Sequence, residues 1–155
     1  VTTMKPPPER SAMSERLKTF TALCPPGLTL PASFDAILRQ EEPPDIEPWE
    51  WLFEYHEWLQ FWVQTIKEQY PARPPLIPFA KNGGSDDVFC FDGTDTAGNP
   101  RVYIVHTFAS PGWENRGYWD DFDDFMEEAE EVNAEWVRDE EEYRQQQAKD
   151  EADDQ

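Results

Sequence analysis

The chain has 155 residues, 38% hydrophobic and 30% charged, with seven Trp, ten Phe and a formal net charge of −20. That length suffices for one domain with a core, and a few aromatic side chains, each removing roughly 150–250 Å² from water, can fill it. The charge excludes direct binding to nucleic acid or an anionic membrane, which would repel the surface; solubility and a basic partner remain open as its meaning.

Residues 1–11 carry Lys5-Pro6-Pro7-Pro8-Glu9 and lack the apolar stretch of a secretory signal, so they are expected to be a flexible Pro-rich lead-in. Ser11 or Ser14 can cap a first helix with Leu17, Phe20 and Leu23 on one face, stopped at Pro25-Pro26-Gly27. Leu30-Pro31-Ala32-Ser33-Phe34 opens a short second helix with Ser33 as N-cap, ending before Pro43-Pro44. Residues 47–70 read as one Trp-rich helix: Leu52, Tyr55 and Leu59, then Trp62, Val63 and Ile66, recur at helical spacing. Trp51, Trp58 and Phe61 widen its stripe beyond one face, which points first to burial on both faces and second to an exposed partner surface.

After the Pro-rich break at 71–75 come two apolar runs, 76–80 and 87–92, around Lys81-Asn82-Gly83-Gly84-Ser85. This is a strong hairpin signal. Gly83 and Gly84 are expected to supply positive φ, and Pro78 to sit at a strand edge or start. Residues 101–108 form a further strand, pairing with 87–92 as the centre of the sheet. Residues 109–117 read as a loop containing Trp113. A final helix then runs from 119 to about 149, with Trp119, Phe122, Phe125, Met126, Ala129, Val132, Trp136 and Val137 as its apolar stripe. The expected organisation is a lead-in over 1–11, one domain over 12–140, and an acidic helix end with a disordered tail over 141–155.

Nothing in the sequence assembles a catalytic set. His56 and His106 have no triad or metal partner at a telling spacing. Cys90 sits among bulky residues, as a small hydrophobe would. Asp86, Asp87, Asp92 and Asp95 do not match a calcium loop and read as turn and strand-end residues. Gly83-Gly84 lacks the phosphate-loop frame. The expectation is therefore no enzyme, no cofactor and no metal. Cys24 and Cys90 lie apart with no CxxC pattern, so a reduced, cytoplasmic setting is the default. No run approaches the ~18 apolar residues of a membrane span.

Charge concentrates at the end of the chain. From Trp119 to Gln155 there are seventeen acidic and three basic residues. Asp121, Asp124, Glu128, Glu131 and Glu135 fall on one line of the helix, and Asp120, Asp123, Glu127 and Glu130 on the next. Like charges at these spacings weaken an isolated helix by a few tenths of a kcal/mol each, while the early ones gain from the helix N-terminus. A solvated face and a docking face for a cationic partner both fit the pattern.

Ile77-Pro78-Phe79-Ala80, then Asn82-Gly83-Gly84-Ser85-Asp86-Asp87, then Val88-Phe89-Cys90-Phe91-Asp92 resemble the core of the SUKH superfamily of cell-wall regulators and bacterial immunity proteins. Arg101 to Val105 is similar to the next strand of that pattern, Leu30 to Phe34 to its early helix, and Trp119, Phe122, Phe125 and Met126 to its closing helix. The likeness spans roughly residues 12–135 and departs from the pattern where the Trp-rich segment intervenes. It implies an α+β domain, a mainly antiparallel sheet packed by helices on one side. It also implies an immunity protein that binds and neutralises a cognate toxin effector domain, or a regulatory protein-binding scaffold, and it carries no catalytic residues. The expected charge contacts are Asp120, Asp121, Asp124, Glu127, Glu128 and Glu131. Trp113, or an exposed Trp of the 47–70 segment, would be the aromatic anchor, with Asp86 and Asp87 as further contacts.

Overall fold

Five strands make one antiparallel sheet in sequence order: β1 (Trp49–Trp51), β2 (Leu76–Asn82), β3 (Asp87–Asp92), β4 (Val102–His106) and β5 (Asn115–Trp119). The helices are α1 (Met13–Leu23), α2 (Ala32–Leu38), α3 (His56–Gln69) and α4 (Phe122–Asp153). This computed structural model describes residues 9–154. The first eight residues of the expected lead-in lie outside that range, as does Gln155.

Register divides the apolar residues between two faces, because cross-strand partners project to the same side. Trp51 lies opposite Ala80, Ala80 opposite Phe89, and Phe89 opposite Ile104. This face packs against α1, α2 and the start of α4. Phe34 of α2 sits at its centre, with ring centroids 5.0 to 5.9 Å from Phe20, Phe53, Phe79, Phe91 and Phe122. Trp49 stacks on Phe125 at 5.5 Å and meets Phe89 and Trp119. On the other face Lys81, opposite Val88, lies 5.3 Å from the Trp62 ring of α3, which buries Leu59, Val63 and Ile66.

The expected helix over 47–70 divides in two. Trp49–Trp51 is the edge strand β1, and the helix starts only at His56. Three residues are too few to show strand periodicity, and aromatic side chains on both sides of the break blur it. Trp51 is buried and donates its indole N–H to the Pro44 carbonyl at 2.9 Å, whereas Trp58 and Phe61 are exposed. The end of the expected loop at 109–117 belongs to β5, a mostly exposed edge strand with no apolar alternation to betray it. Trp119 therefore ends a strand, and α4 begins after the N-cap Asp121. At its other end α4 stays helical to Asp153, beyond the expected end near 149 and through the stretch expected to be disordered; every described residue from Glu141 onward is exposed.

Several local expectations fail. Neither Gly83 nor Gly84 has positive φ. A Cβ on Gly83 would instead stand 2.5 Å from the Pro48 carbonyl oxygen, which accepts the Gly83 N–H at 2.9 Å. Gly83 is thus required by close approach of the β2–β3 turn to the chain entering β1. Ser33 is not a cap; α2 starts after Pro31, and the Ser33 hydroxyl donates to Asp123 of α4 at 2.8 Å. α1 likewise has Ala12 at its N-cap, with no capping side chain. Pro78 lies inside β2, but β1 pairs only with Ala80–Asn82, so that flank of Pro78 needs no N–H for a ladder.

Candidate functional site

The residues expected at a binding site fall into two groups at opposite ends of the sheet. β5 separates them: Asn115 pairs with Val105 at one end, and Trp119 with Val102 at the other.

The first group starts where Trp119 leaves the sheet. Asp121 caps α4, accepting the Asp124 N–H at 2.9 Å and the Asn99 side-chain amide at 3.2 Å. Asp123 is used in the tie to Ser33. Asp120, Asp124, Glu127, Glu128 and Glu131 are exposed. The neighbouring Asp121 carboxylate, with Asp120, Glu127 and Asp123 adding to it, holds the Asp124 carboxyl above its ordinary value. Among the described residues no α4 carboxylate has an ion-pair partner.

α4 then crosses the aromatic face. It buries Phe122, Phe125 and Ala129, and Asn133 donates to the Glu47 carbonyl at 2.9 Å. Its 32 residues span about 48 Å, against about 17–20 Å for a strand of this sheet. The helix therefore overhangs the sheet at the end where Glu47 and the β2–β3 turn lie.

The second group occupies that same end. Asp86 is exposed in the β2–β3 turn, and its carbonyl accepts both the Thr107 N–H (3.0 Å) and hydroxyl (2.7 Å). Asp87 meets His106 across the β3–β4 pair, Oδ1 to Nδ1 2.8 Å. Trp113 stands 75% exposed in the loop between β4 and β5. Charge contacts expected on one surface are thus distributed between a helix and a turn beyond its reach at the cap.

Sequence reasoning missed part of this second group. Phe108 lies in the same loop and has φ 66°, the one positive value at a non-glycine residue among those described. Its ring meets Trp62 at 6.3 Å, and Trp62 meets Phe61 edge-on at 5.1 Å. Phe61 was legible as a residue that widens the α3 stripe. Phe108 read as a strand residue, because a loop conformation leaves no mark on composition.

His106, Asp87 and Cys90 do not converge. Cys90 pairs with Tyr103, three residues along the ladder from the Asp87–His106 pair, about 10 Å away at strand spacing. It is wholly buried, and burial pushes its thiol far up. No group of three or more His, Cys, Asp and Glu among the described residues could hold a metal ion. No helix among them is long and apolar enough to cross a membrane. A mainly apolar hollow of about 420 Å³ lies on the α3 side between Leu23, Val63, Tyr70, Arg73 and Pro78.

The fold is an α+β antiparallel meander with helices on both faces rather than on the one side expected, because α3 lays its own apolar side on the Lys81–Val88 face; among the described residues its surface concentrates aromatic rings and α4 carboxylates without an ion pair. The chain belongs to the SMI1 / KNR4 family (SUKH-1), whose family model matches residues 17–128. That range holds α2, α3, the whole sheet and the first turns of α4, but not the overhanging helix. No curated protein and no solved structure matches the chain.

Proposed function

We propose that this chain is an immunity protein. It binds a cognate polymorphic or contact-dependent bacterial toxin in the cytoplasm and neutralises it by occluding a basic effector domain, without chemistry of its own. Membership of the SMI1 / KNR4 family supports a role among immunity and regulatory proteins. The observation that carries the finer reading is α4: fourteen acidic against three basic residues, carboxylates at successive i+3 and i+4 steps, and among the described residues no ion pair to relieve them. A field of that sign speeds encounter with a basic domain by roughly 10–10³-fold at low salt.

In this reading Asp120, Asp124, Glu127, Glu128 and Glu131 meet the toxin directly, while Asp121 both contributes charge and holds the helix start. Trp113, with Asp86 and Asp87, forms the contact at the other end of the sheet. The test is co-expression with the gene adjacent to this one. If that gene encodes the toxin, it stops growth alone and is tolerated with this chain. Toxicity that this chain does not relieve would defeat the reading, and a neighbour with no toxicity would favour the regulatory scaffold.

A further inference from the structure

The second group raises a question that charge does not answer. Phe108 is bulky, and the left-handed conformation is unfavourable for such a residue. The loop around it is nevertheless tightly held. Gln69 Oε1 accepts the Phe108 N–H at 2.7 Å. The Tyr70 hydroxyl bonds to the carbonyls of His106 (3.1 Å) and Ala109 (2.8 Å) on either side, and Thr107 is tied to Asp86. The side chain held in this way is 60% exposed, and the Phe61 ring beyond Trp62 is 55% exposed. Core burial therefore does not account for the conformation. Display does, because large rings fixed in place before binding lose little freedom on contact.

We propose that Phe108, Trp62 and Phe61 are a preorganised aromatic anchor on the toxin-binding surface, taking an apolar side chain set in a basic patch of the partner protein. The inference rests on the immunity reading and specifies where contact is made. Charge complementarity identifies the partner's chemistry. Glu57 and Glu68 flank Phe61 on the exposed side of α3, and Asp86 borders the loop. Lys81 does not offset them at the rim, since it is buried beneath Trp62 with its ammonium on the Asn82 and Ser85 carbonyls at 2.7 and 3.1 Å. A second copy of this chain would bring the same acidic rim and a net −20 of its own, so like charge opposes self-docking.

The experiment measures binding of the purified C-terminal domain of the protein encoded beside this gene to wild type, Phe108→Gly and Phe61→Gln. Glycine accepts the left-handed conformation freely. Phe108→Gly should therefore melt at or above the wild-type temperature, yet dissociate about 30-fold faster, as loss of a hot spot does. Phe61→Gln should dissociate about 10-fold faster by the same reasoning. Both should keep the wild-type on-rate and salt dependence. If wild type binds and both variants bind equally well, the anchor is refuted and the immunity reading stands. If wild type neither binds nor neutralises the domain, both fall. A fold clearly destabilised by Phe108→Gly, with Phe61→Gln binding normally, would make Phe108 structural and overturn the proposal. A wild-type dimer lost in the variants would assign the surface to self-association and overturn it as well.

Discussion

Gly83→Ala should cost this protein far more than Gly84→Ala, although the two residues are adjacent and neither adopts a left-handed φ. The added Cβ at 83 would meet the Pro48 carbonyl oxygen at 2.5 Å, a backbone atom that cannot swing aside. The same oxygen accepts the Gly83 N–H, so retreat of the turn also breaks that bond and loosens the neighbouring Trp49–Asn82 pair. Crowding in a packed site costs about 1–3 kcal/mol and a lost hydrogen bond about 0.5–1.5. Reduced freedom of the unfolded chain returns about 0.4–1. The net loss is about 2–3 kcal/mol. At Gly84 a Cβ would find only the Asn82 Oδ1 at 3.6 Å, so the unfolded-state gain alone remains and the variant should be neutral or slightly stabilised. Urea unfolding with an unchanged m value measures both. A Gly83→Ala protein within about 0.5 kcal/mol of wild type, or equal losses at both glycines, would refute the steric argument.

Other predictions follow from the core, a half-buried carboxylate and the acidic helix. Phe34→Ala should lose about 3–5 kcal/mol, because five rings close around that side chain and cannot all collapse into the space; a loss under 1 kcal/mol by urea unfolding would contradict the packing described. Burial holds the Glu54 carboxyl above its ordinary 4.5, outweighing the nearby Arg10 and Arg16. The folded chain therefore binds the extra proton, and stability falls as pH rises from 4.5 through the raised value. Glu54→Gln should accordingly be more stable than wild type at about pH 7 and should lose that advantage by about pH 3.5; a difference independent of pH in thermal melts would count against it. Reversing Asp124, Glu127, Glu128 and Glu131 to Lys should slow association with the proposed basic partner domain about 10–100-fold at low salt and flatten its salt dependence. Stopped-flow rates that match wild type would remove α4 from the encounter.

Much of the fold could be read from the chain because its central strands are apolar on almost every residue. Val88 to Phe91 and the β3–β4 pairing follow from that run, as does the apolar stripe from Phe122 to Ala129. The edges of the sheet were hidden for opposite reasons. β1 is three residues long and runs into an aromatic-rich helix, so its Trp residues took on that helix's periodicity. β5 has Arg116 and Gly117 at its middle and exposed residues at both positions next to its loop, so it offered no apolar signal at all. The candidate site divides along the same line. The carboxylates on α4 follow from composition and spacing, and Trp113 from its place in an expected loop. The place of Phe108 depends on a backbone conformation fixed by Gln69 and Tyr70, residues nearly forty positions earlier, and only the folded chain brings them to the loop.

The central proposal is that this chain neutralises a toxin by binding it. Its most direct measurement is growth of cells expressing the gene adjacent to this one, with and without this chain, alongside the affinity of the two purified proteins. The account predicts arrest by the toxin alone, full growth on co-expression, and a tight one-to-one complex whose association slows with salt. Arrest that persists on co-expression, with no complex between the purified proteins, would contradict it.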